Sequence, residues 1–395
     1  MATRLSQRVQ RIKPSPTLAV TARAAELRAA GQDVIGLGAG EPDFDTPPHI
    51  KSAATQAIEK GLTKYTAVDG TPALKQAIAE KFRRENALEY RSDEILVSCG
   101  AKHSLFNLCE AILDAGDEVI IPAPYWVSYP DMVLIADGKP VIIETDMASD
   151  FKITPTQLEA AITPKTRLLI LNSPSNPSGK AYSASELSAL GNVLKKHPDV
   201  MIVSDDIYEH ILWNNGPFQN IVNVCPELKD RTAVVNGVSK AYAMTGWRIG
   251  YTAGPADLIK AMKKIQSQST SNPTSIAQAA AEVALAGDQG CIQEMLKAFK
   301  ERHDFVVGRL NDLPGVKCLP SDGTFYAFPS FQGVIDQHPD ITDDVALGEW
   351  LLTEALVALV PGSAFGTPGH MRLSFATSMD NLKTALDRLA EALQM

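Results

Sequence analysis

One lysine lies among residues that suit covalent chemistry. Lys240 follows Thr232–Asn236, which we expect to be a buried strand, and the residues after it in SKAYAMTGWRIG are mostly small or apolar. Burial among such neighbours lowers the pKa of an amine, which makes it a better nucleophile. Arg248 follows eight residues later and can bind an oxyanion through paired hydrogen bonds. An exposed lysine and arginine would be the alternative, but small neighbours fit a crowded site better.

Polar residues also follow two other predicted strands. Asp205 ends the apolar segment Met201–Asp205, and Tyr208 comes three residues later. A buried carboxylate needs a cationic or hydrogen-bonding partner, although a helix N-cap would explain Asp205 as well. Asn176 lies in NSPSNPSG after the predicted strand Leu168–Asn172, at the sheet edge where ligands bind in α/β proteins. A plain turn would account for that segment too.

Glycines mark two places where the backbone could approach an anion. Gly100 separates a predicted strand from a predicted helix over Ala101–Asp114, and the free amides of a helix start commonly bind phosphate. The glycines of IGLGAGEPDF, including Gly40, resemble a dinucleotide-binding loop. The segment EPDFDTPP follows them instead of a helix, which argues against NAD binding.

A last candidate lies near the C-terminus. Arg372 falls on the predicted strand Met371–Phe375. An arginine on a strand is usually a solvated edge residue. It would bind an anion only if the packing turned it toward a cleft.

The order of predicted elements divides the chain into two parts. Helices and strands alternate over residues 46–287, which predicts an α/β domain with a mostly parallel central sheet flanked by helices. A long helix, Glu294–Leu310, then precedes strand-like segments at Val316–Cys318 and Thr324–Phe328. We predict a large domain over residues 46–287 and a smaller α+β domain formed by residues 1–45 together with 288–395. A cleft between domains is a common ligand site.

Composition excludes several classes of protein. The 395 residues include 37 Lys+Arg and 46 Asp+Glu, and this charge of −9 argues against nucleic-acid binding. No charge-free apolar run approaches the roughly 18 residues that a membrane helix needs. The five cysteines form no C-x-x-C pair, so we expect reduced thiols, no metal and a cytoplasmic location. The basic, acid-free start would also suit a transit peptide.

Together these segments resemble the class I aminotransferases, pyridoxal-phosphate enzymes of fold type I, over nearly the whole chain. SKAYAMTGWRIGY is highly specific, and it follows AGEPDFDTP, PYWVSYP, NSPSNPSG and SDDIYEH in the order of that family. The closest likeness is to the bacterial and plastid-type aspartate aminotransferases. The N-terminal pattern K-P-S-x-T of those enzymes occurs in this chain at Lys13–Thr17.

The resemblance implies pyridoxal 5′-phosphate as the cofactor and a role for each motif residue. Lys240 would bind the cofactor covalently and move the substrate proton, and Asp205 would pair with the pyridine nitrogen. The remaining cofactor contacts would come from Ala101, Lys102, Trp126, Asn176, Tyr208, Ser239 and Arg248. Tyr65, in GLTKYTAVDG, would reach the phosphate of a neighbouring subunit, which implies a homodimer with shared active sites.

The resemblance also implies that the amino group of L-aspartate passes to 2-oxoglutarate, with prephenate as a further acceptor. Substrate contacts would come from Gly40, Trp126, Asn176, Arg372, Lys102 and Thr17. Some relatives hold the distal carboxylate with an arginine in the segment matching Ser267–Ser275, where this chain has none. In the subgroup that this chain resembles, a lysine and a threonine at the positions of Lys102 and Thr17 contact the distal carboxylate instead.

Other functions stay open on the same resemblance. A C–S lyase of the same fold, or an aminotransferase for aromatic or neutral amino acids, would share these motifs. A non-catalytic pyridoxal-phosphate-binding regulator would need an added DNA-binding domain, for which the predicted large domain begins too early.

Overall fold

The structure is a computed structural model that describes residues 3–213 and 216–394. The helices are α1 Gln7–Arg11, α2 Pro16–Ala29, α3 Pro48–Glu59, α4 Pro72–Asn86, α5 Ala101–Ile112, α6 Ser128–Ile135, α7 Pro155–Ala161, α8 Ala184–Leu194, α9 Ile221–Val224, α10 Ala256–Gln268, α11 Ser275–Ala286, α12 Gly290–Asn311, α13 Gln332–Gln337, α14 Asp344–Glu354 and α15 Met379–Ala392. The strands are β1 Ile35–Gly36, β2 Ile95–Ser98, β3 Glu118–Pro122, β4 Lys139–Ile143, β5 Thr166–Asn172, β6 Met201–Asp205, β7 Thr232–Gly237, β8 Gly250–Ala253, β9 Tyr326–Ala327, β10 Val357–Ala358, β11 Val360–Pro361 and β12 Met371–Ser374.

A seven-stranded sheet forms the centre of the fold, with strand order β2-β8-β7-β6-β5-β3-β4. Strand β8 runs antiparallel to β2 and β7, and the other neighbouring pairs are parallel. Strands β2, β7 and β8 consist entirely of buried residues, as expected for a sheet with both faces covered. The predicted α/β class with a mostly parallel sheet is confirmed.

Helices cover both faces of this sheet, and each face has its own apolar core. Helices α3, α4, α8 and α11 contribute to one core through residues such as Ile50 and Leu74. Helices α5, α6 and α10 contribute to the other through residues such as Leu105 and Met262. The alternation of strands and helices in the sequence therefore reflects a sheet between two helical layers.

The C-terminal part of the chain, together with β1, forms two smaller sheets, with strand order β11-β12-β9 in one and β1-β10 in the other. Helices α12, α14 and α15 pack with them around a third apolar core. The N-terminal arm divides its contacts, because α2 packs against β10 and β11 while α1 packs against α6. Arg8 and Arg11 pair with Asp137 at the α1 contact. The domain limits given above remain a prediction.

Most predicted elements occur within a few residues of their expected bounds. The predicted strand Val316–Cys318 is wrong, because only Lys317 forms an isolated bridge there. The Asn311 side chain hydrogen-bonds both the amide and the carbonyl of Cys318, which occupies groups that a strand partner would need. Helix α2 begins at Pro16, because proline suits the first turn of a helix.

No helix among the described residues is both long and apolar enough to cross a membrane.

A fully buried lysine joins α4 to the strands that carry the site. Lys81 is 0% exposed, forms an ion pair with Glu209 and donates to Oδ1 of Asn86 at 2.8 Å. Glu209 also accepts from Nδ2 of Asn86 at 2.9 Å and from Nδ2 of Asn236, on β7, at 2.8 Å. Glu209 follows β6, so this network fixes the segment after β6 against the end of β7.

We expect Lys81→Met to lower the free energy of unfolding by about 3–5 kcal/mol, because it leaves the Glu209 carboxylate buried without its cation. Lys81→Met combined with Glu209→Leu should cost less than Lys81→Met alone, since neither charge then remains. Lys300→Met is the control: it breaks an exposed pair with Asp304 and should cost about 1 kcal/mol or less. Urea denaturation measures these differences, and equal losses in the two lysine variants would contradict the prediction.

Candidate active site

A cavity of about 350 Å³ lies at the carboxyl edge of β5, β6 and β7, where β9, β12 and the N-terminal arm also reach it. Its lining includes every predicted site residue except Tyr65, namely Thr17, Gly40, Ala101, Lys102, Trp126, Asn176, Asp205, Tyr208, Ser239, Lys240, Arg248 and Arg372. Tyr65 is 91% exposed and lies outside the cavity. The fold thus brings together residues that are up to 355 positions apart in the chain.

Lys240 lies in the turn after β7, and its Nζ donates to the carbonyl oxygen of Gly40. Nζ is 5.8 Å from the centre of the Tyr208 ring and 5.7 Å from that of Phe325. Burial, together with the positive charge of Arg372, lowers the pKa of Lys240 to about 8. Near neutral pH the amine is therefore neutral far more often than that of an ordinary lysine, as a nucleophile or a proton acceptor requires.

Asp205, the last residue of β6, is 4% exposed. Its Oδ2 accepts a hydrogen bond from the Tyr129 hydroxyl at 2.5 Å, and its Oδ1 accepts one from the Ile207 amide at 3.3 Å. Burial raises the pKa of Asp205 to about 6. No ion pair joins it to a side chain of residues 3–213 or 216–394, so the site offers a buried carboxylate to a ligand that brings an N–H donor or a cation.

The start of α5 and the side chain of Arg248 together form a site for an anion. Gly100 caps α5 with φ 85°, and no side chain of residues 3–213 or 216–394 accepts a hydrogen bond from the first amides of the helix. Arg248 donates to the carbonyls of Thr245 at 2.9 Å and Cys99 at 3.4 Å, and a Cβ at Gly100 would collide with its guanidinium. Within the described chain Arg248 has no acidic partner. Free amides, the helix dipole and a guanidinium suit a phosphate group.

Arg372 is 2% exposed, and its described hydrogen-bond partners are neutral. It donates through NH1 to Oδ1 of Asn176 at 3.0 Å and through NH2 to the Gly38 carbonyl at 2.7 Å. Its Nε is buried with no partner in the part of the chain that the structure describes. A buried guanidinium without a carboxylate is costly, so this position favours the binding of an anionic ligand.

Lys102 and Trp126 face each other on one side of the cavity. Nζ of Lys102 lies 4.9 Å from the centre of the Trp126 ring. Burial, and the charge of Arg248 nearby, lower the pKa of Lys102. Thr17 lines the same cavity from the N-terminal arm. These side chains could meet the distal end of a ligand.

Several site residues had not been identified from the sequence. Tyr129 lies within PYWVSYP, but nothing in that segment shows that its hydroxyl reaches Asp205. Glu41 lines the cavity and accepts from the Thr245 hydroxyl at 2.9 Å. Tyr326 lies on a two-residue strand outside every motif, and its hydroxyl is 3.0 Å from that of Tyr208. Only contacts between distant segments identify these residues.

Glu85, Glu209 and His210 are the one group of side chains with metal-ligand spacing in residues 3–213 and 216–394. The Lys81 ammonium pairs with both carboxylates of this group. Arg84 also pairs with Glu85, so two cations of the protein itself already balance the two carboxylates, and the group lies outside the cavity.

Comparison with known proteins places this chain among relatives of one family. The sequence profile of the family described as aminotransferase class I and II matches residues 32–389. The aspartate/prephenate aminotransferase of Nitrosomonas europaea is 62% identical over 99% of this chain and 100% of that protein. The solved aspartate aminotransferase of Rhizobium meliloti superposes with a TM-score of 0.96 at 53% identity, covering 100% of this chain and 99% of that one. The aspartate aminotransferase of Thermus thermophilus with maleate gives 0.93 at 46% identity, covering 99% and 100%.

We expect Asp205→Asn to stabilise the cofactor-free protein, and to do so more at pH 8 than at pH 5. The folded-state pKa of about 6 lies above the usual value of about 3.9, so the folded state binds more protons between them. The free energy of unfolding of the parent protein therefore falls as the pH rises through this window, by about 2–3 kcal/mol in all. An asparagine at this position carries no charge, so the free energy of unfolding no longer falls for this reason as the pH rises. Its side-chain oxygen still accepts a hydrogen bond from the Tyr129 hydroxyl.

Urea denaturation at pH 5 and pH 8 measures this effect. Asp312→Asn, at an exposed position, is the control and should change little at either pH. An Asp205→Asn effect of equal size at both pH values would contradict a buried carboxylate that lacks a counter-charge.

Proposed function

The chain belongs to the class I and II aminotransferases, and we propose that it transfers the amino group of L-aspartate to 2-oxoglutarate with pyridoxal 5′-phosphate as its cofactor. One observation carries this proposal: Lys240, whose pKa is lowered, and Arg372, which has no anionic partner among the described side chains, line the same cavity. Aminotransferases act on amino and keto acids. The names of the relatives support aspartate as the amino donor and prephenate as a further acceptor.

The residues fit this cofactor, since each of its polar parts has a matching group in the cavity. The Asp205 carboxylate would pair with the protonated pyridine nitrogen, because no described side chain supplies it with a cation. The amides of Ala101 and Lys102, with Arg248 and the Ser239 hydroxyl, would hold the phosphate. The ring would stack on Trp126, and its phenolic oxygen would accept from Tyr208 and Asn176. When bound, pyridoxal phosphate supplies a reactive aldehyde and an electron-withdrawing ring.

The protein's own side chains account for binding and proton transfer. Arg372 would bind the substrate α-carboxylate, with Asn176 and the Gly40 backbone beside it. Lys240 would take the proton from the substrate Cα and return it at a neighbouring carbon. Its lowered pKa lets the amine act both as an acid and as a base near neutral pH. A ligand bound in the cavity would displace water that otherwise competes with that transfer.

Selection of dicarboxylates would depend on Lys102 and Thr17. The segment Ser267–Ser275 contains no arginine, so another cation must meet the distal carboxylate. Lys102 lies in the first turn of α5 and holds its ammonium over Trp126, inside the cavity. A flexible ammonium imposes less geometry than a guanidinium, which suits carboxylates at several distances.

A homodimer with shared sites is part of this proposal. Tyr65 is 91% exposed, and Ile58 and Leu62, which are 55% and 51% exposed, lie close to it in the chain. Exposed apolar residues near one another are typical of protein interfaces. In a dimer, Tyr65 would reach the phosphate site of the other subunit.

We also propose that the protein acts in the cytoplasm. The five cysteines, Cys99, Cys109, Cys225, Cys291 and Cys318, are free thiols, which suits a reducing compartment.

Lys240→Ala should retain the cofactor without a covalent bond and lose nearly all transamination between aspartate and 2-oxoglutarate, because one amine serves both for attachment and for proton transfer. Borohydride treatment followed by denaturation should leave the cofactor attached to the parent enzyme but not to this variant. Lys264→Ala, at an exposed position of α10, is the control and should behave as the parent enzyme.

Substantial turnover by Lys240→Ala without added amine would contradict the assignment of Lys240. Pyruvate released from a cysteine conjugate by the parent enzyme, without 2-oxoglutarate, would indicate the C–S lyase instead.

Lys102→Ala should raise KM for dicarboxylic substrates, at a cost of about 2–5 kcal/mol if its pair with the distal carboxylate is desolvated. Turnover of aromatic monocarboxylic amino acids should fall much less. Lys102→Met is the matched variant, because it removes the charge but keeps an unbranched side chain over Trp126. Steady-state kinetics with aspartate and phenylalanine make the comparison, and equal losses on both substrates would show that Lys102 serves the phosphate or the structure.

A further inference from the structure

Tyr326 contacts two parts of the site at once. It is 1% exposed, lies on β9 and lines the cavity. Strand β9 pairs with β12, where Ser374 is its register partner, so Tyr326 is held beside the strand that carries Arg372. Its hydroxyl reaches across to Tyr208, which follows β6 of the central sheet.

The ring of Tyr326 supports the Arg372 guanidinium. The central carbon of that group lies 4.5 Å from the centre of the Tyr326 ring and 5.0 Å from that of Phe365. Aromatic faces attract a buried guanidinium electrostatically and limit its rotation. Because NH1 and NH2 of Arg372 already bind neutral oxygens, the two rings help fix the direction that the guanidinium offers to a carboxylate.

The hydroxyl of Tyr326 can set the direction of the Tyr208 hydroxyl. The two oxygens are 3.0 Å apart, and burial raises the pKa of both phenols, so both are protonated near neutral pH and one donates to the other. Within the described residues, Tyr208 is the one hydrogen-bond partner of the Tyr326 hydroxyl. If Tyr326 donates, the hydrogen of Tyr208 remains available to the cavity; if Tyr208 donates, the cavity loses that donor.

We propose that Tyr326 is a positioning residue that couples the two ends of the site: its ring orients Arg372 toward the substrate carboxylate, and its hydroxyl donates to Tyr208 so that Tyr208 donates to the phenolic oxygen of the cofactor. This inference rests on the proposed function, since it presumes both ligands. It predicts that the hydroxyl and the ring have separable effects.

The hydroxyl is tested with Tyr326→Phe in the cofactor-loaded enzyme, through the visible absorbance of the bound cofactor as a function of pH. The pH midpoint of the spectral change should rise by about half a unit, because a Tyr208 that no longer accepts a hydrogen bond is a weaker donor to the deprotonated chromophore. In a Tyr208→Phe background, Tyr326→Phe should add no further shift. An equal shift in both backgrounds would overturn the proposal, because the hydroxyl would then act independently of Tyr208.

The ring is tested with Tyr326→Met, which keeps a flexible apolar side chain without an aromatic face. The dissociation constant of maleate, measured by spectral titration of the loaded enzyme, should rise about tenfold in Tyr326→Met and less than about twofold in Tyr326→Phe. Equal binding by both variants would overturn this half of the proposal. If Tyr326→Met does not fold, the absorbance titrations of the phenylalanine variants still decide whether Tyr326 acts through Tyr208.

Tyr182→Phe is the matched control. It removes a hydroxyl that accepts from the Ile153 amide at 3.0 Å and lies outside the cavity. It should leave both readouts unchanged, and a shift as large as that of Tyr326→Phe would reduce Tyr326 to a structural role and overturn the inference.

The parent enzyme separates the two hypotheses: no spectral change on adding aspartate would contradict the proposed function, whereas a normal change with independent tyrosine effects would contradict only the role of Tyr326.

Discussion

Lys240, Asp205 and Arg372 are charged groups that the fold gathers around one cavity, and none of them forms an ion pair with another described side chain. Burying charge without a counter-charge is unfavourable, so much of the surrounding structure supplies hydrogen bonds instead. Tyr129 donates to Asp205, and the Gly38 carbonyl and Asn176 accept from Arg372. A ligand with a pyridine nitrogen at one end and a substrate carboxylate at the other would supply the missing charges, and the proposed chemistry follows from that complementarity.

The central sheet makes this arrangement possible. Strands β5, β6 and β7 are parallel neighbours, so their carboxyl ends meet at one edge, where Asn172 and Asp205 are register partners. The buried pair of Lys81 and Glu209 holds the segment after β6 against Asn236, four residues before Lys240. The second half of the site comes from β9, β12 and the N-terminal arm. A cavity lined by both groups of elements can bring Arg372, the proposed substrate-binding residue, and Lys240, the proposed proton-transferring residue, together on one ligand.

Site residues could be predicted from the sequence where the reactive or polar residue and the strand that positions it belong to the same short segment. Lys240 and Asn176 follow buried strands and Asp205 ends one, and the sequence shows both the strand and the polar residue at or after its end. Tyr326 could not be found in this way, because its strand is two residues long and its partners, Tyr208 and Arg372, lie far from it in the chain. The mistaken strand at Val316–Cys318 has a similar cause, since the side chain of Asn311 takes over the backbone hydrogen bonds of Cys318.

The sequence by itself determined the α/β class, the approximate elements of the large sheet and the residues that could carry the chemistry, because hydrophobic periodicity and residue type are local properties. The tertiary structure alone decided which of these residues meet. Arg372 is a cavity residue rather than a solvated one because β12 turns it onto Asn176 and Gly38. The lowered pKa of Lys240 and the raised pKa of Asp205 likewise arise mainly from burial, which depends on how distant segments pack and cannot be read from spacing along the chain.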